Sequence, residues 1–324
     1  MAGETYDVIV VGGGVSGLTA AYSVLQKKPA AKVLVLEAAE QTGGDVVHET
    51  LSSASGNSEW DMGATRIGTA QKELLALLKE LGVETQPQYN KGNKFWRLPD
   101  GKLKKFSGAI PPLSVKVLLD LVRYFKKVDG MQGQIVPDRV HTCKNVEEWD
   151  GLTVAEFLKK YLWTEVGIIT IETMTMSFCN ALPSELSMTQ YLYLIHTCGG
   201  WELHTNSGDK GRSDLVIKEG STAMCKKLCE KIGQEKVVCG DAVTIIQEGT
   251  GDWPVRVTTA KGKEYAAKRA IVALPCSHTD KVNFEPPLRA NRARTLPRKC
   301  DQLVSLITYK SAFWREAGHC GEYL

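Results

Sequence analysis

Two short runs of consecutive apolar residues, Val8-Ile-Val-Val11 and Val33-Leu-Val-Leu36, bracket a stretch in which Leu18, Ala21 and Leu25 recur at helical spacing. A continuous run of this length fits a strand covered on both faces, and apolar residues three or four apart fit one face of a helix. The opening therefore reads as strand, helix, strand. Its first joint is Gly12-Gly-Gly-Val-Ser-Gly17, and its second strand closes on Glu37, twenty residues past Gly17. Helical rhythm returns at Lys72 to Leu81, with Leu74, Leu75, Leu77, Leu78 and Leu81 apolar and Gly82 as a left-handed stop. It returns again at Leu113 to Val128, after Thr153-Val-Ala-Glu156, which has the spacing of a capping box, and from Ile168 to Ile195, where Pro183 divides two helices.

Strand rhythm marks Lys236 to Val238, Ala242 to Ile246, Val255 to Thr259 and Arg269 to Leu274, after a helix at Met224 to Ile232. Phe95 to Leu103 reads as a hairpin around Asp100-Gly101. The order is thus a βαβ unit, a mostly helical insertion, a β-rich return to the first sheet, and a fresh segment from Leu288. We expect an α/β fold with a discontinuous Rossmann-like domain at 1–85 and 215–290. A second domain of 86–214 and 291–324 takes the helical insertion and the tail.

The glycine spacing carries chemistry. In a strand-to-helix joint of the form Gly12-x-Gly14-x-x-Gly17, the first glycine permits the tight turn, the second admits a pyrophosphate to the backbone, and the third lets helix and strand close up. The helix start, with Gly13, Val15 and Ser16, favours phosphate negative charge. Glu37 stands where a carboxylate accepts from ribose hydroxyls, which favours FAD or NAD over a cofactor with a 2′-phosphate. Gly43-Gly44 marks a second place of close backbone approach.

Bulk properties narrow the rest. The 324 residues suffice for two domains, and 43% apolar with 24% charged residues is ordinary for a globular chain. A net charge of +3 is too small to imply a nucleic-acid partner, and the lysines at 102, 104, 105, 126 and 127 read as solvated faces. Nine scattered cysteines read as reduced intracellular thiols. Cys225 and Cys229 lack a second pair at metal-ligand spacing, so no metal is expected. The start of the chain is no signal peptide, and no apolar stretch reaches membrane-spanning length. The seven tryptophans read as core or interface anchors, Cys198 as a structural thiol, and His141, His204, His278 and His319 as solvated loop residues.

Tyr6-Asp-Val-Ile-Val-Val-Gly-Gly-Gly-Val-Ser-Gly-Leu18, Val35-Leu-Glu-Ala38, Gly43-Gly44, Asp61-Met-Gly-Ala64, Leu78-Lys-Glu-Leu-Gly-Val-Glu-Thr85, Cys198-Gly-Gly200, Ala273-Leu-Pro275, Tyr309-Lys-Ser-Ala-Phe-Trp314 and Cys320-Gly321 together resemble the FAD-dependent amine oxidases, the monoamine oxidases above all. The resemblance runs the length of the chain. It implies FAD as cofactor, a small-molecule amine and O2 as substrates, and oxidative deamination of a primary amine to an aldehyde with release of ammonia and hydrogen peroxide. It adds Ala38, Gly43, Gly44, Asp45, Gly63, Ala64, Thr65, Arg66, Val243 and Leu274 to the cofactor residues. Met174, Ser177, Phe178 and Leu194 align with the family's substrate pocket, although each would serve equally as helix core. The flavin carries the hard chemistry, so no catalytic dyad or triad is expected.

Three departures accompany the resemblance. Asp45 stands where the family usually has an arginine that compensates phosphates, and the alternative cation is Arg66 or a lysine from elsewhere in the chain. Val304 stands near the position of the lysine that holds a water against the flavin. The last third of the family's length, with its covalent cysteine, aromatic pair and membrane tail, has no counterpart. The alternatives are accordingly a truncated, inactive flavin-fold binding protein, or a relative acting on polyamines or amino acids. The resemblance also implies a possible homodimer and a location in the cytoplasm or at the mitochondrial outer membrane.

Overall fold

In a computed structural model of the chain, the structure describes residues 4–53, 56–97, 101–107, 112–200, 215–289 and 305–323. Trp201, His204, Lys299, Cys300 and Val304 lie outside them. The chain divides into two compact units, one of Met1–Thr65, Glu73–Gln86 and Val216–Lys299, the other of Arg66–Lys72, Pro87–Leu215 and Cys300–Leu324.

The first unit is built on β1 (Glu4–Val11), α1 (Val15–Lys27) and β2 (Val33–Leu36). Ile9, Val10, Val11 and all four residues of β2 are buried, which is why these strands read as unbroken apolar runs rather than alternating ones. β1 lies parallel to β2, with Val8 opposite Val33, and parallel to the strand Glu264–Val272, with Val8 opposite Arg269. The strand Val237–Val238 continues the sheet in parallel beyond β2. Beyond Glu264–Val272 the order runs to Val255–Thr259, Val243–Glu248 and Asn283–Glu285, giving seven strands. The first two of those joins are antiparallel and the last is parallel. A nine-residue strand thus starts at Glu264, five residues before the expected Arg269, because hairpin pairing with Val255–Thr259 extends it beyond its apolar end.

α1 buries Gly17, Leu18, Ala21 and Tyr22 and packs against β2 and the helix Thr222–Ile232. The helix Lys72–Leu81 ends as expected at Gly82 with φ +70°, and the Val83 amide reaches back to the Leu78 carbonyl at 2.9 Å. A hairpin of His48–Ser53 and Gly56–Asp61, for which the polar sequence offers no alternation signal beyond Trp60, completes the nucleotide half.

The second unit is chiefly helical. The helices Val115–Gln132, Val154–Tyr161, Glu165–Cys179 and Met188–Thr197 enclose a core that includes Tyr124, Val128, Leu158, Ile171, Met188, Tyr191, Leu192 and Ile195. Tyr124 and Tyr191 satisfy each other's buried hydroxyls at 3.1 Å. The capping box at Thr153 forms in both directions. The strands Asn93–Arg97 and Leu103–Phe106 pair antiparallel, as their sequence implies. His319–Tyr323 joins them as a third strand, so His319 is no loop residue, and its ring packs edge-on against Phe95 at 4.7 Å. The tryptophans also divide: Trp96 and Trp149 are buried, whereas Trp60 and Trp163 are exposed.

Candidate cofactor site

The turn between β1 and α1 admits only glycine at two of its positions. Gly12 has φ +106°, and a Cβ there would stand 2.8 Å from the Ala273 carbonyl oxygen. At Gly17 a Cβ would fall 1.9 Å from the Gly12 carbonyl oxygen, so the third glycine lets the helix close onto the turn. Gly14 begins α1 in an extended conformation, with no side chain capping the helix and no acidic residue in its first turn. The first helical bond runs from the Leu18 amide to the Gly14 carbonyl at 3.0 Å. Amides preceding it have no place in the helical ladder and, with the positive end of the helix dipole, suit an anion. Val15 is half-buried there and Ser16 exposed.

A second backbone wall faces this one. The Gly43 amide donates to the Gly13 carbonyl at 3.0 Å, and Gly43 pairs with Gly14 in an isolated parallel bridge. Gly43 and Gly44 both have positive φ, +136° and +61°. A Cβ on Gly44 would stand 3.3 Å from the Gly14 Cα, so side chains at this crossing would fill the space between the two loops.

Glu37 closes the cradle. Its Oε2 accepts the Gly13 amide at 2.5 Å and its Oε1 accepts the Ala39 amide at 2.8 Å. Its own amide donates to the Val238 carbonyl at 2.8 Å. The carboxylate is half-buried and held by two amides, and each oxygen retains lone-pair capacity for a hydroxyl of a vicinal diol. Ala38 beside it is exposed. Cys239 follows Val238, and burial, reinforced by Glu37, raises its thiol pKa; burial likewise pushes Cys225 up to about 11. Neither thiol is therefore activated as a nucleophile.

Asp45 and the Gly63 to Thr65 stretch are sewn together. The Ala64 amide donates to the Asp45 carbonyl at 2.8 Å, and a Cβ on Gly63 would meet that same oxygen at 1.9 Å. The Asp45 side chain itself is exposed. Thr65 is half-buried, and Arg66, with an exposed side chain, begins the short strand Arg66–Ile67 in the other unit. Leu274 lies at the β1–α1 turn, its Cδ2 3.3 Å from where a Gly12 Cβ would be, and it packs on the sheet core that contains Val243. Of the four substrate residues drawn from the resemblance, Phe178 is in the helical core, Met174 and Leu194 pack against that core, and Ser177 is exposed.

One supporting interaction is invisible in the sequence. Asp61 accepts the Ser221 amide at 2.9 Å and the Ser221 hydroxyl at 2.8 Å, fastening the end of the 56–61 strand to the start of the helix Thr222–Ile232. His48 lies beside it, its Nε2 3.2 Å from Glu59 and its Nδ1 3.8 Å from Asp61. The only local signal was Gly220-Ser-Thr before a helix; the partner stands 160 residues away. Among the described residues no group of three His, Cys, Asp or Glu side chains could hold a metal ion, and no helix is long and apolar enough to cross a membrane.

The cradle fits a dinucleotide, with glycines wherever a Cβ would intrude, an anion-receptive helix start and an oriented diol-binding acid. Comparison with known proteins agrees. A model of the family described as flavin containing amine oxidoreductase matches residues 15–324. The flavin-containing amine oxidase A of Equus caballus is 29% identical over 332 aligned positions, covering 100% of this chain and 60% of the relative. The flavin-containing amine oxidase B of Sus scrofa is 31% identical over 328, covering 98% and 60%. Among solved structures, wild-type putrescine oxidase bound to putrescine superposes with a TM-score of 0.84 at 20% identity, covering 97% of this chain and 68% of that one. The cyclohexylamine oxidase of Brevibacterium oxydans IH-35A gives 0.84 at 22% identity, covering 98% and 69%. The chain spans about 60% of the length of the curated relatives it matches.

Proposed function

The chain belongs to the flavin-containing amine oxidoreductases, with FAD as the family's cofactor, and from that premise we propose that it serves in the oxidative deamination of a primary amine, with O2 as acceptor. The observation that carries the nucleotide half of this reading is the pinned Glu37 carboxylate beside the β1–α1 turn. Amides at Gly14 to Gly17 and the Gly43–Gly44 wall would take the diphosphate, and Glu37 the ribose diol. Leu274 would pack against the cofactor's apolar part. When bound, the flavin supplies a two-electron oxidation that converts the amine to an imine, which water hydrolyses to aldehyde and ammonia while O2 becomes hydrogen peroxide. The chain's own work is to bind, orient and exclude water. Met174, Phe178 and Leu194 would contribute an apolar wall suited to the carbon skeleton of an amine, with Ser177 at its edge.

Purified protein mixed with FAD and freed of excess should be yellow, and anaerobic addition of benzylamine, tyramine or spermine should bleach it, with peroxide appearing when air is admitted. A colourless protein that takes up no FAD would refute the reading. A specific observation favours a second reading, that of an FAD-fold binding protein without turnover: an exposed carboxylate, Asp45, stands directly after Gly44. Its signature would be yellow protein that neither bleaches nor makes peroxide with any of the three amines.

A further inference from the structure

Glu37 is held at its main chain as well as at its carboxylate. The segment from Val238 to Asp241 runs beside residues 37–39. There the Glu37 amide donates to the Val238 carbonyl at 2.8 Å, the Gly240 amide to the Ala39 carbonyl at 2.8 Å, and the Asp241 amide to the Glu37 carbonyl at 3.1 Å. These bonds carry the pairing of Val237–Val238 with β2 past the ends of both strands. The strap turns at Gly240, whose φ is +71°, and a Cβ there would meet a Glu40 carboxylate oxygen at 2.9 Å. The amide and the carbonyl of Glu37 are thus both committed to this strap, so the place of Asp241 decides where the Glu37 side chain starts.

Asp241 is itself anchored, and it is only 2% exposed. Its Oδ2 accepts the Thr259 hydroxyl at 2.9 Å and its Oδ1 accepts the Lys261 amide at 3.1 Å, both from the turn that joins the strands Val255–Thr259 and Glu264–Val272. The Thr259 hydroxyl accepts the Lys263 amide at 3.2 Å, which leaves its proton for Asp241. The buried charge is met there by an alcohol and an amide. Taking a carboxylate out of water for neutral donors is costly, and an apolar side chain would fill the space without that penalty. What the carboxylate adds is direction, because two oxygens bound to two fixed donors leave the residue a single orientation.

We propose, resting on the reading that the cradle takes FAD, that Asp241 is a positioning residue for ribose recognition. Through its amide and the strap it aligns Glu37 so that the carboxylate meets the vicinal hydroxyls of the adenosine ribose. The Gly13 and Ala39 amides hold the tip of the Glu37 side chain, and the strap holds its root. The oxygens of Asp241 are engaged by the turn at 259–261, so it acts through Glu37 and not on the nucleotide. Hydrogen bonds weaken steeply as they leave their preferred length and angle. A Glu37 carboxylate set slightly askew would still fill its place, yet it would no longer distinguish a hydroxyl from a hydrogen.

The test compares ADP with 2′-deoxy-ADP as competitors for FAD in the full chain, which isolates one ribose hydroxyl from the rest of the nucleotide. In the parent, loss of the 2′-hydroxyl should weaken binding by about ten- to a hundredfold, the size expected of a hydrogen bond to a charged group. Asp241→Ala should collapse that ratio towards parity. Asp241→Asn, which keeps the size and one acceptor, should leave it intermediate, and Thr259→Val, which removes the hydroxyl that orients the carboxylate, should shift it the same way. Adding Asp241→Ala to Glu37→Gln should lower the ratio no further than Glu37→Gln alone, because both act on one contact. A residue needed only for folding would weaken ADP and 2′-deoxy-ADP equally and leave the ratio untouched, while circular dichroism and the melting temperature report the folding part separately. If Asp241→Ala does not fold, Asp241→Asn and Thr259→Val carry the same measurement. The parental ratio retained in folded variants, or a parent that binds FAD yet does not prefer ADP, would overturn the proposal and leave the FAD reading standing. A parent that binds neither FAD nor ADP would overturn both.

Discussion

Glu37 and Asp45 are the two residues on which cofactor affinity turns. Both oxygens of Glu37 accept backbone amides, so Glu37→Gln would present its NH2 group to one of two N–H donors. Loss of a charge-assisted bond of this kind costs about 1.5–3 kcal/mol. FAD titrations should accordingly show affinity reduced by roughly ten- to a hundredfold. Among the described residues the backbone bond that Asp45 makes is through its carbonyl, which Asp45→Arg preserves while reversing the charge beside Gly44. That variant should bind FAD more tightly, by on the order of 1 kcal/mol because the position is exposed, and the gain should shrink as salt is raised. Unchanged affinity in fluorescence titration would mean that the phosphate charge is balanced by another cation.

Among the elements, the helical unit hangs on a buried carboxylate and a helix cap. Asp120 holds the start of the helix Glu165–Cys179 through Thr164, while Arg123 is clamped between the Tyr161 and Trp163 rings. Asp120→Ala would strand those donors and leave Arg123 without its acid. Urea unfolding should report a loss of about 3–5 kcal/mol, as for other broken buried ion pairs. The cap at Thr153 is tested by pH. Glu156 accepts the Thr153 amide and hydroxyl, which lowers its pKa below the ordinary carboxylate value. A depressed carboxylate stabilises the folded state above its unfolded pKa, about 4.3 for Glu, and that contribution disappears as pH falls through the folded value. In Glu156→Gln the melting temperature should therefore lose less between neutral pH and pH 3–4 than in the parent. Parallel curves would show that the cap has no titrating part.

At the scale of the molecule, cofactor binding is a stability measurement. The cradle draws on β1, α1, β2, the Gly43–Gly44 loop and the return strand, elements far apart in the sequence, so it exists only when the first unit is folded. FAD at about a hundred times its Kd should add about 2.7 kcal/mol to unfolding of that unit, seen as a raised melting temperature in scanning calorimetry. NADP, with a 2′-phosphate against the Glu37 carboxylate, should add none.

The βαβ unit, its glycine turn and Glu37 were legible because their determinants are local: a φ that only glycine adopts, a helical rhythm and a terminal acid lie within 34 residues of one another. The helices of the insertion were legible for the same reason, since periodicity needs no partner. Asp61 with Ser221, His319 as a strand residue, and the pinning of Glu37 by the Gly13 amide depend on chain segments brought together by packing, and no local pattern encodes the partner. The helix Val115–Gln132 marks the boundary most clearly. Its apolar positions announced a helix, but they occupy both faces, and only tertiary packing decided that Tyr124 and Val128 are core while Leu119 and Val122 meet the surroundings. Hydrophobic pattern states how a segment coils; which side is covered is a property of its neighbours.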